Sequence, residues 1–425
     1  MSRACGGHGL CGKCRVKQPG WPVLEADRRI LKDLCDEGWR LACVHGVKET
    51  VQDEQILAAA SGLDESDGPA MYGSLDIGTT TVVLVLLDEA GRKTAEYHWA
   101  NPQRAWGADV LSRIEKYGQM DPDLIHNLVY PRTAGLKRLV VTGNTVMTHL
   151  WMHVDPGPLA KVPFAIPVPH EVHRQINGCC EIVCAPLAAY VGADIRTGLM
   201  EVLAAPHAGR FLFMDLGTNG ELALYDHGKV TVCAAACGPA LEGAGISVGM
   251  AALPGAVWHV DAEDGWRVRT IGDGDPAGVC GSGLFSWIDA LRRENLLRAS
   301  GKLKECPDIS GLRLTQKDIR MFQLAKGALQ AAWELLVPAP ESLEEVYIAG
   351  GFSLGLDEGA CIRLGLFHPA WKGKVRLCGN MALKGACRVA VNGSCDTFDA
   401  SVVQLETDPR FTDVFARAML LQEAA

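Results

Sequence analysis

The sequence lacks an excess of basic residues. Its 425 residues include 41 Lys and Arg against 50 Asp and Glu, which gives a formal net charge of −9 and a pI of about 5.8. Proteins that bind nucleic acids normally present a strongly basic surface to the phosphates. The charge balance therefore argues against a nucleic-acid partner.

Long apolar runs are also missing. No stretch reaches the roughly 18–20 apolar residues needed to cross a bilayer, and the first residues contain no apolar signal-peptide core. We therefore expect a cytoplasmic protein without a membrane partner. The apolar content of 48% is enough for two or three domains with their own cores.

Cysteine, by contrast, is abundant, with 16 residues in the chain. Secreted disulfide scaffolds are rich in cysteine, but they are short chains, and about half of these cysteines lie in apolar or glycine-rich surroundings. A reducing compartment with free thiols and one metal cluster fits this distribution better.

The candidate cluster ligands lie at the start of the chain, in CGGHGLCGKC. Cys5, Cys11 and Cys14 follow the spacing Cys-x5-Cys-x2-Cys, and Cys43 lies further along, in GWRLACVHGV. Three thiolates on a tight loop and a fourth from a distant segment can surround a small iron–sulfur cluster, with glycine N–H groups turned towards its sulfurs. Zinc is the competing interpretation, but a structural zinc ion is usually held by two Cys-x2-Cys or Cys/His pairs, and this region contains only one such pair. Cys35, on the helix-like stretch ILKDLCDEGW, is predicted to be a core residue.

This cysteine pattern resembles the cluster-binding loop of plant- and adrenodoxin-type [2Fe–2S] ferredoxins. The resemblance implies a ferredoxin-like β-grasp domain over residues 1–60, with Cys5, Cys11, Cys14 and Cys43 as ligands of a [2Fe–2S] cluster. Such domains normally carry a β-hairpin before the first cysteine, whereas four residues precede it here. The resemblance therefore implies either a start codon upstream of Met1 or a truncated domain.

The pattern changes after this segment. Residues 61–73, SGLDESDGPAMYG, are polar and aperiodic and are predicted to form a linker. From Ser74 onwards, apolar strand-like runs alternate with amphipathic segments, which is typical of an α/β fold.

Two of the strand-like runs are similar to each other. LDIGTTTVVLVLLDEAG begins at Leu75, and MDLGTNGELALYDHGK begins at Met214. We interpret this echo as a duplicated α/β subdomain, over residues 74–208 and 209–425, with a cleft between the two halves.

Each of the similar runs has an Asp near the end of its first strand and a Gly-Thr turn into a second strand. Rossmann and P-loop motifs differ, because they open into a helix. Backbone N–H groups and hydroxyls at such a turn can hold phosphates, and Asp76 and Asp215, the candidate catalytic carboxylates, can hold Mg²⁺ through water. The candidate nucleotide-binding residues are Gly78, Thr79, Thr80, Thr81, Gly217, Thr218, Asn219 and Gly220.

A third turn follows the buried strand of EEVYIAGGFS, at Gly350, Gly351 and Phe352. By itself, Gly-Gly is equally compatible with a helix-entry turn. Together, the three turns resemble the phosphate-1, phosphate-2 and adenosine loops of the acetate kinase, sugar kinase, Hsp70 and actin superfamily. The resemblance implies a duplicated ribonuclease-H-like ATPase fold that binds ATP and Mg²⁺.

Other glycine-rich segments are candidates either for the cleft lining or for tight backbone packing. From these we select Gly281, Ser282 and Gly283 as nucleotide-binding candidates. Glu242 is a third catalytic candidate, for orienting water or a Mg²⁺ shell, with a solvated loop glutamate as the alternative. The segments are TGNTVMTHL (142–150), ACGPALEGAGISVGM (236–250), GVCGSG (278–283) and GNMALKGA (379–386).

Two histidines, His149 and His153, lie four residues apart on one predicted helix. This spacing can place two imidazoles on a shared metal ion. No third ligand is evident in the sequence, so a pair of surface or core histidines is the preferred interpretation.

An iron–sulfur loop fused to this nucleotide fold resembles the ferredoxin-fused reductive activators of corrinoid enzymes. The resemblance implies ATP-dependent transfer of one electron from the [2Fe–2S] cluster to a corrinoid protein of a methyltransferase system, which returns Co(II) to Co(I). It also implies anaerobic metabolism, a ferredoxin or flavodoxin as low-potential donor, and compatibility with a homodimer. Besides the motifs above, the phrases that carry it are RLAC, NPQRAWGADVLSRI, APLAAYVGADI, GPALEGAGI and QKDIRMFQLAKGA.

The chain departs from the family pattern in two respects. Members are commonly longer, and the middle domain between the linker and the nucleotide domain is expected to be absent here. Met381 replaces the small residue expected after Gly-Asn.

Three other functions share the nucleotide fold. An ATP-dependent activator of a dehydratase or aromatic-ring reductase would bridge a [4Fe–4S] cluster across a dimer, and the ferredoxin-like loop argues against it. A small-molecule kinase would transfer phosphate to an added substrate. A filament-forming, actin-like protein would sediment in the presence of ATP.

Overall fold

The computed structural model describes residues 15–41, 44–45, 63–107, 109–263, 265–351, 353–396 and 398–424. Among the helices of these ranges, none has the length and apolar character of a membrane span. The predicted site residues that lie outside the described ranges are Cys5, Cys11, Cys14, Cys43 and Phe352.

The described N-terminal segment is a small unit of one helix and two strands. Strand β1 (Arg15–Lys17) pairs antiparallel with β2 (Trp39–Leu41), and helix α1 (Glu25–Leu31) lies between them in the chain. Cys35 is buried in the apolar cluster between the helix and the sheet, which confirms its prediction as a core residue. The buried carboxylate of Asp27 accepts one hydrogen bond from the backbone N–H of Leu24, before α1, and one from that of Leu41, in β2. It therefore joins the helix to the strand.

The first lobe is built on a six-stranded sheet with the order β5-β4-β3-β6-β8-β7. Strand β3 is antiparallel to β4 and parallel to β6. The elements of this lobe are β3 (Tyr72–Ile77), β4 (Thr81–Leu87), β5 (Lys93–Ala100), α2 (Val110–Glu115), α3 (His126–Val129), β6 (Arg138–Gly143), α4 (Thr145–Trp151), β7 (Val172–Ile176), β8 (Cys179–Val183) and α5 (Ala193–Leu203).

Strand β3 begins inside the segment that the sequence predicts to be a linker. A Cβ added at Gly73 would lie 2.9 Å from a methyl group of Leu136 and 3.1 Å from one of Leu139. This glycine therefore belongs to the packed sheet, where it leaves room for two core side chains. Composition alone does not distinguish it from a linker glycine.

The second lobe is built on another six-stranded sheet, with the order β16-β15-β9-β10-β11-β17, and a small side sheet with the order β13-β12-β14. Its elements are β9 (Arg210–Leu216), β10 (Gly220–Asp226), β11 (Lys229–Ala235), β12 (Ala256–Asp261), β13 (Arg267–Thr270), β14 (Gly278–Val279), α6 (Gly281–Arg293), α7 (Gln316–Leu336), β15 (Glu345–Ala349), α8 (Glu358–Arg363), β16 (Val375–Gly379), α9 (Met381–Asn392), β17 (Ala400–Val402) and α10 (Phe411–Ala418).

The two large sheets repeat one topology. Strands β5-β4-β3-β6-β8 of the first lobe and β11-β10-β9-β15-β16 of the second have the same order and the same strand directions. This confirms the predicted α/β class and the predicted duplication of a ribonuclease-H-like unit.

Helices α5 and α9 lie between the two sheets. Each packs on the sheet of the other half: Leu383 and Val389 of α9 join the core of the first sheet, and Ile195 and Leu199 of α5 join that of the second. The helices cross closely at Gly385, where a Cβ would collide with the backbone of the opposite helix. Each lobe is therefore completed by a helix from the other half of the chain.

Candidate functional site

The candidate site is the cleft where the two lobes meet. Strand β3 turns through residues 78–80 into β4, and β9 turns through residues 217–219 into β10, so both Gly-Thr turns lie between antiparallel strands, as predicted. The predicted site residues that the structure brings together in the lining are Asp76, Gly78, Thr79, Thr80, Thr81, Asp215, Gly217, Thr218, Asn219, Glu242, Gly350 and Gly351.

Glu242 joins the two turns across the cleft. Its Oε2 accepts hydrogen bonds of 2.7 Å from the hydroxyl of Thr80 in the first lobe and of 2.7 Å from that of Thr218 in the second. The two hydroxyl oxygens are themselves 3.2 Å apart. Glu242 is thus a bridge between the lobes, and phosphate oxygens that enter the turns would compete with it for the same two hydroxyls.

Four further carboxylates gather in the cleft. Burial raises the pKa of Asp76 to about 6, and burial together with the charge of Asp76 raises the pKa of Asp194 to about 7. The pKa values of Asp215 and Glu221 lie well above their ordinary range because of burial and the neighbouring carboxylates. The described lining contains no Lys or Arg. Carboxylates placed this closely without a protein cation are suited to a divalent metal ion.

Two asparagines from opposite lobes hold two of these carboxylates. The side-chain amide of Asn380 donates to Oδ2 of Asp76 at 2.7 Å, and that of Asn144 donates to Oε1 of Glu221 at 2.9 Å. Each asparagine is also the N-cap of the helix that follows it, since its side-chain oxygen accepts a backbone hydrogen bond in the first turn. The helix starts therefore position the cleft carboxylates.

The third predicted turn also reaches the cleft. Strand β15 ends at Ala349, and Gly350 follows with a φ of 103°, in the region that favours glycine. A Cβ at this position would collide with the carbonyl oxygen of Leu216. Gly350 and Gly351 both line the cleft beside the second Gly-Thr turn, so the strand end presents bare backbone there.

The first turn is supported from behind by residues of the NPQRAWGADVLSRI segment. The guanidinium of buried Arg113 donates to the carbonyl of Thr79 and to that of Gly107, and burial lowers its pKa to about 9. The amide of Asn101 donates to the carbonyl of Gly78 at 2.7 Å. These contacts hold the carbonyls of Gly78 and Thr79 and so fix the backbone of the turn.

Some predicted residues do not line the cleft. Gly220 lies at the start of β10 and packs against Leu329 of α7. Gly281, Ser282 and Gly283 form the buried first turn of α6, where Gly283 contacts the β12 backbone. A glycine needed for backbone packing has the same sequence signature as one needed for ligand approach, so contact of these four with nucleotide stays a prediction.

Four polar residues of the lining were not selected from the sequence: Asn144, Asp194, Glu221 and Asn380. A signal existed for two of them, since Gly-Asn recurs between a strand and a helix and asparagine is a favoured N-cap. Glu221 directly follows the second predicted turn, and Asp194 lies in the first turn of α5. Three of the four other glycine-rich segments, all but 278–283, contribute to the lining.

The possible metal pair of the sequence is not formed. The ring of buried His149 contacts the carbonyl oxygen of Thr145 and the backbone N–H of Val168. His153 lies instead near Asp123 and His126. His149 is therefore a core histidine, as preferred.

Comparison with known proteins finds matches over nearly all of the described lobes. A family model described as the C-terminal domain of RACo, the ASKHA domain, matches residues 210–425. A second, described as the RACo middle region, matches residues 72–132 and 123–203.

The second match overturns one expectation. The middle domain was expected to be absent, and that prediction is wrong, because the segment that matches it is the one assigned to the first half of the duplicated fold. The strand-turn-strand pattern is shared by both lobes, so the sequence pattern does not separate a middle region from an ATPase subdomain.

Individual relatives agree with the family match. The corrinoid activation enzyme RamQ of Eubacterium limosum is 30% identical over 83% of this chain and 70% of its own length. The [Co(II) methylated amine-specific corrinoid protein] reductase of Methanosarcina barkeri is 25% identical over 74% of this chain and 68% of its own.

A solved structure matches the whole arrangement. The reductive activator for corrinoid, iron–sulfur protein superposes with a TM-score of 0.72 at 25% identity, over 97% of this chain and 80% of that one. The family matches, the relatives and the fold agree with the resemblance found in the motifs, and this chain therefore belongs to the RACo family of reductive activators of corrinoid proteins.

Proposed function

We propose that this protein carries out ATP-dependent reductive activation of a corrinoid protein of a methyltransferase system, in which Co(II) gains one electron and becomes Co(I). The observation that supports this best is that a member of the RACo family has a complete two-lobed cleft, with an Asp and a Gly-Thr turn contributed by each lobe.

ATP with Mg²⁺ fits the residues of the cleft. The Thr80 and Thr218 turns offer hydroxyls and backbone N–H groups to phosphates, and Gly350 and Gly351 offer bare backbone to the nucleoside. Burial raises the pKa of Asp76, burial and the neighbouring carboxylates raise that of Asp215, and the described lining offers no Lys or Arg as a counter-ion. Bound Mg²⁺ would neutralise charge on the phosphates and on these carboxylates.

Glu242 gives this cleft a means of sensing nucleotide. Its hydrogen bonds to Thr80 and Thr218 join the lobes, and phosphates in the turns take those hydroxyls in its place. The exchange alters one of the contacts between the two lobes, which are also joined by α5, α9 and the two asparagine–carboxylate hydrogen bonds. Lobe movement of this hinge type is a common way to couple nucleotide state to partner docking.

The electron source in this proposal is a [2Fe–2S] cluster ligated by Cys5, Cys11, Cys14 and Cys43. Plant-type clusters have potentials near roughly −400 mV, and the Co(II)/Co(I) corrinoid couple is expected to lie lower. One-electron transfer is then uphill by about 1.4 kcal/mol for every ~59 mV of difference. Nucleotide-gated docking is the step that would offset this cost.

The remaining parts of the proposal concern the setting of the reaction. We assign a low-potential ferredoxin or flavodoxin as the donor that recharges the cluster, a cytoplasmic location and anaerobic metabolism. A homodimer is compatible with this assignment, and size-exclusion chromatography of the cluster-loaded protein with and without ATP tests it.

The central experiment follows Co(I) formation by absorbance in an anaerobic mixture of reconstituted protein, a Co(II) corrinoid protein and a low-potential donor. We expect Co(I) only when ATP and Mg²⁺ are present. Equal Co(I) without ATP would contradict the proposal. Phosphate transfer to an added small molecule would support the kinase alternative, and ATP-dependent sedimentation would support the filament alternative.

A second experiment tests the cluster ligands. Cys11→Ser should abolish the visible absorption of the reconstituted cluster, because a thiolate ligand is lost. Cys35→Ala is the matched control, since Cys35 is buried in the core of the same segment, and its spectrum should be that of the wild type. An unchanged spectrum in Cys11→Ser would remove Cys11 from the ligand set.

A further inference from the structure

Away from the cleft, a carboxylate and two imidazoles of the first lobe converge. Asp123 precedes α3, His126 begins it, and His153 follows the end of α4. One ligand atom from each lies within 4.8 Å of the other two. We propose that these three residues form a binding site for a divalent transition-metal ion, with zinc as the ion that suits them best.

The distances fit such an ion. Oδ1 of Asp123 lies 3.6 Å from Nδ1 of His126 and 3.4 Å from Nε2 of His153. In a tetrahedral zinc site, with bonds near 2.0–2.1 Å, neighbouring ligand atoms are about 3.3 Å apart. The two measured separations are therefore close to two edges of such a site, and a small side-chain movement completes it.

The buried imidazole of His126 points to a missing ligand. Its side chain is 6% exposed; the backbone of Pro122 acts on the ring, but the buried Nδ1 has no partner in hydrogen-bonding geometry among the described residues. A buried polar atom left unpaired is costly. A metal ion bound at Nδ1 would satisfy it, whereas the carboxylate of Asp123 alone is too far away to accept a hydrogen bond.

The surroundings hold this ring in place. It stacks on Trp151 with ring centroids 3.9 Å apart and contacts Tyr130 at 4.9 Å. A neutral imidazole, the usual form of histidine at pH 7, is the form that binds metals. Arg174, a cation that acts on His126, is paired with Glu181.

The other two ligands leave an entry path. The side chains of His153 and Asp123 are 46% and 57% exposed, so an ion can enter from solvent and keep a water molecule as a fourth ligand. Two imidazoles and one carboxylate favour zinc and its neighbours in the transition series over Mg²⁺, which prefers oxygen ligands alone.

The placement suggests a structural clamp. Helix α4 begins after Asn144, which holds Glu221 in the cleft, and ends near His153. An ion at the triad would tie the far end of that helix to α3. Neither His149 nor any cleft residue takes part, so the site is separate from the nucleotide site.

The test measures zinc bound to the cluster-loaded protein by mass spectrometry of the metal after equilibrium dialysis against buffered zinc. We expect His153→Gln and Asp123→Asn each to bind about one equivalent of zinc less than the wild type. His227→Gln is the matched control, because His227 is an exposed histidine that also contacts one carboxylate, Asp226. It should retain all the zinc of the wild type.

A second measurement uses stability. Zinc should raise the thermal unfolding midpoint of the wild type and of His227→Gln, but not that of His153→Gln, because an ion that binds only the folded state stabilises it. Equal zinc content and equal thermal shifts in the wild type and His153→Gln would overturn the proposal. So would an equal loss of zinc in His227→Gln.

Discussion

The two Gly-Thr turns share a topology but differ in the residue that pairs with the aspartate across the hairpin. In the first lobe, Asp76 pairs across the hairpin with Val83; in the second, Asp215 pairs with Glu221. The first lobe therefore places an apolar residue where the second places another carboxylate. The carboxylates of the cleft are therefore distributed unevenly over the duplicated fold, and more of them belong to the second lobe.

The neighbours of the two aspartates also differ in their effect on the pKa. Asp76 accepts a hydrogen bond from the amide of Asn380, which lowers its pKa against the effect of burial. For Asp215, burial and then the charges of Asp194, Asp76 and Glu242 all raise the pKa. Asp215 is thus at the centre of the carboxylate group, and Asp76 is at its edge. In a duplicated site of this kind, the equivalent residues need not contribute equally.

The largest expected effect separates these two residues. Asp215→Asn should lower ATP hydrolysis towards the upper end of the roughly 10–100-fold range typical of residues that position a metal ion, and Asp76→Asn towards its lower end. Both should leave the visible spectrum of the cluster unchanged. Steady-state phosphate release and absorbance measure the two properties.

Asp226→Asn is the control for this experiment, since Asp226 lies at the far end of β10, the strand that pairs with β9, and forms an ion pair with Arg210. It should hydrolyse ATP like the wild type. Wild-type hydrolysis by Asp215→Asn would show that the second turn does not hold the nucleotide.

A second, smaller effect concerns stability. The pKa of Asp194 is raised to about 7 from an ordinary 3.8, so the folded state holds a proton that the unfolded state has lost. The stability that this proton contributes is fully present below about pH 4 and is lost as the pH rises through about 7. Asp194→Asn should therefore be more stable than the wild type at pH 8, by on the order of 1–3 kcal/mol, and equal to it near pH 4.

Mg²⁺ should reverse the difference at pH 8, because it stabilises the ionised wild-type cleft more than the variant. Thermal unfolding at both pH values, with and without Mg²⁺, measures this. Asp275→Asn, at an exposed carboxylate outside the cleft, should behave like the wild type throughout. If Asp194→Asn is no more stable than the wild type at pH 8, Asp194 does not belong to the buried group of cleft carboxylates.

Local sequence patterns predicted the parts of the site that are built within one strand pair. The Gly-Thr turns, Asp76 and Asp215 depend on residues close together in the chain, and the strand at Gly350 depends on a short apolar run. The repeat of the first two also predicted the duplication. Each of these features has a signature within about ten residues.

The rest depends on contacts that no local pattern contains. Asn380 meets Asp76 because α9 returns to the first sheet, 304 positions later in the chain. Glu221 reaches the cleft because of the hairpin register. Gly283 shows a different difficulty, since its lack of a side chain serves contact with the β12 backbone, a role that the sequence does not separate from ligand binding. Site residues from distant segments require the fold.

The smallest expected effect tests whether the two asparagines act reciprocally across the lobes. Asn380→Ser should keep the N-cap of α9, because serine is also a good cap, while removing the amide from Asp76. The pKa of Asp76 then rises above about 6, and the pH at which MgATP binding is half-maximal should move upwards, with up to about tenfold weaker binding near pH 7. Asn144→Ser should weaken binding to a similar degree through Glu221. Titration of binding from pH 5 to 9 measures both, and a loss confined to one variant would show that only that lobe's carboxylate needs its amide partner.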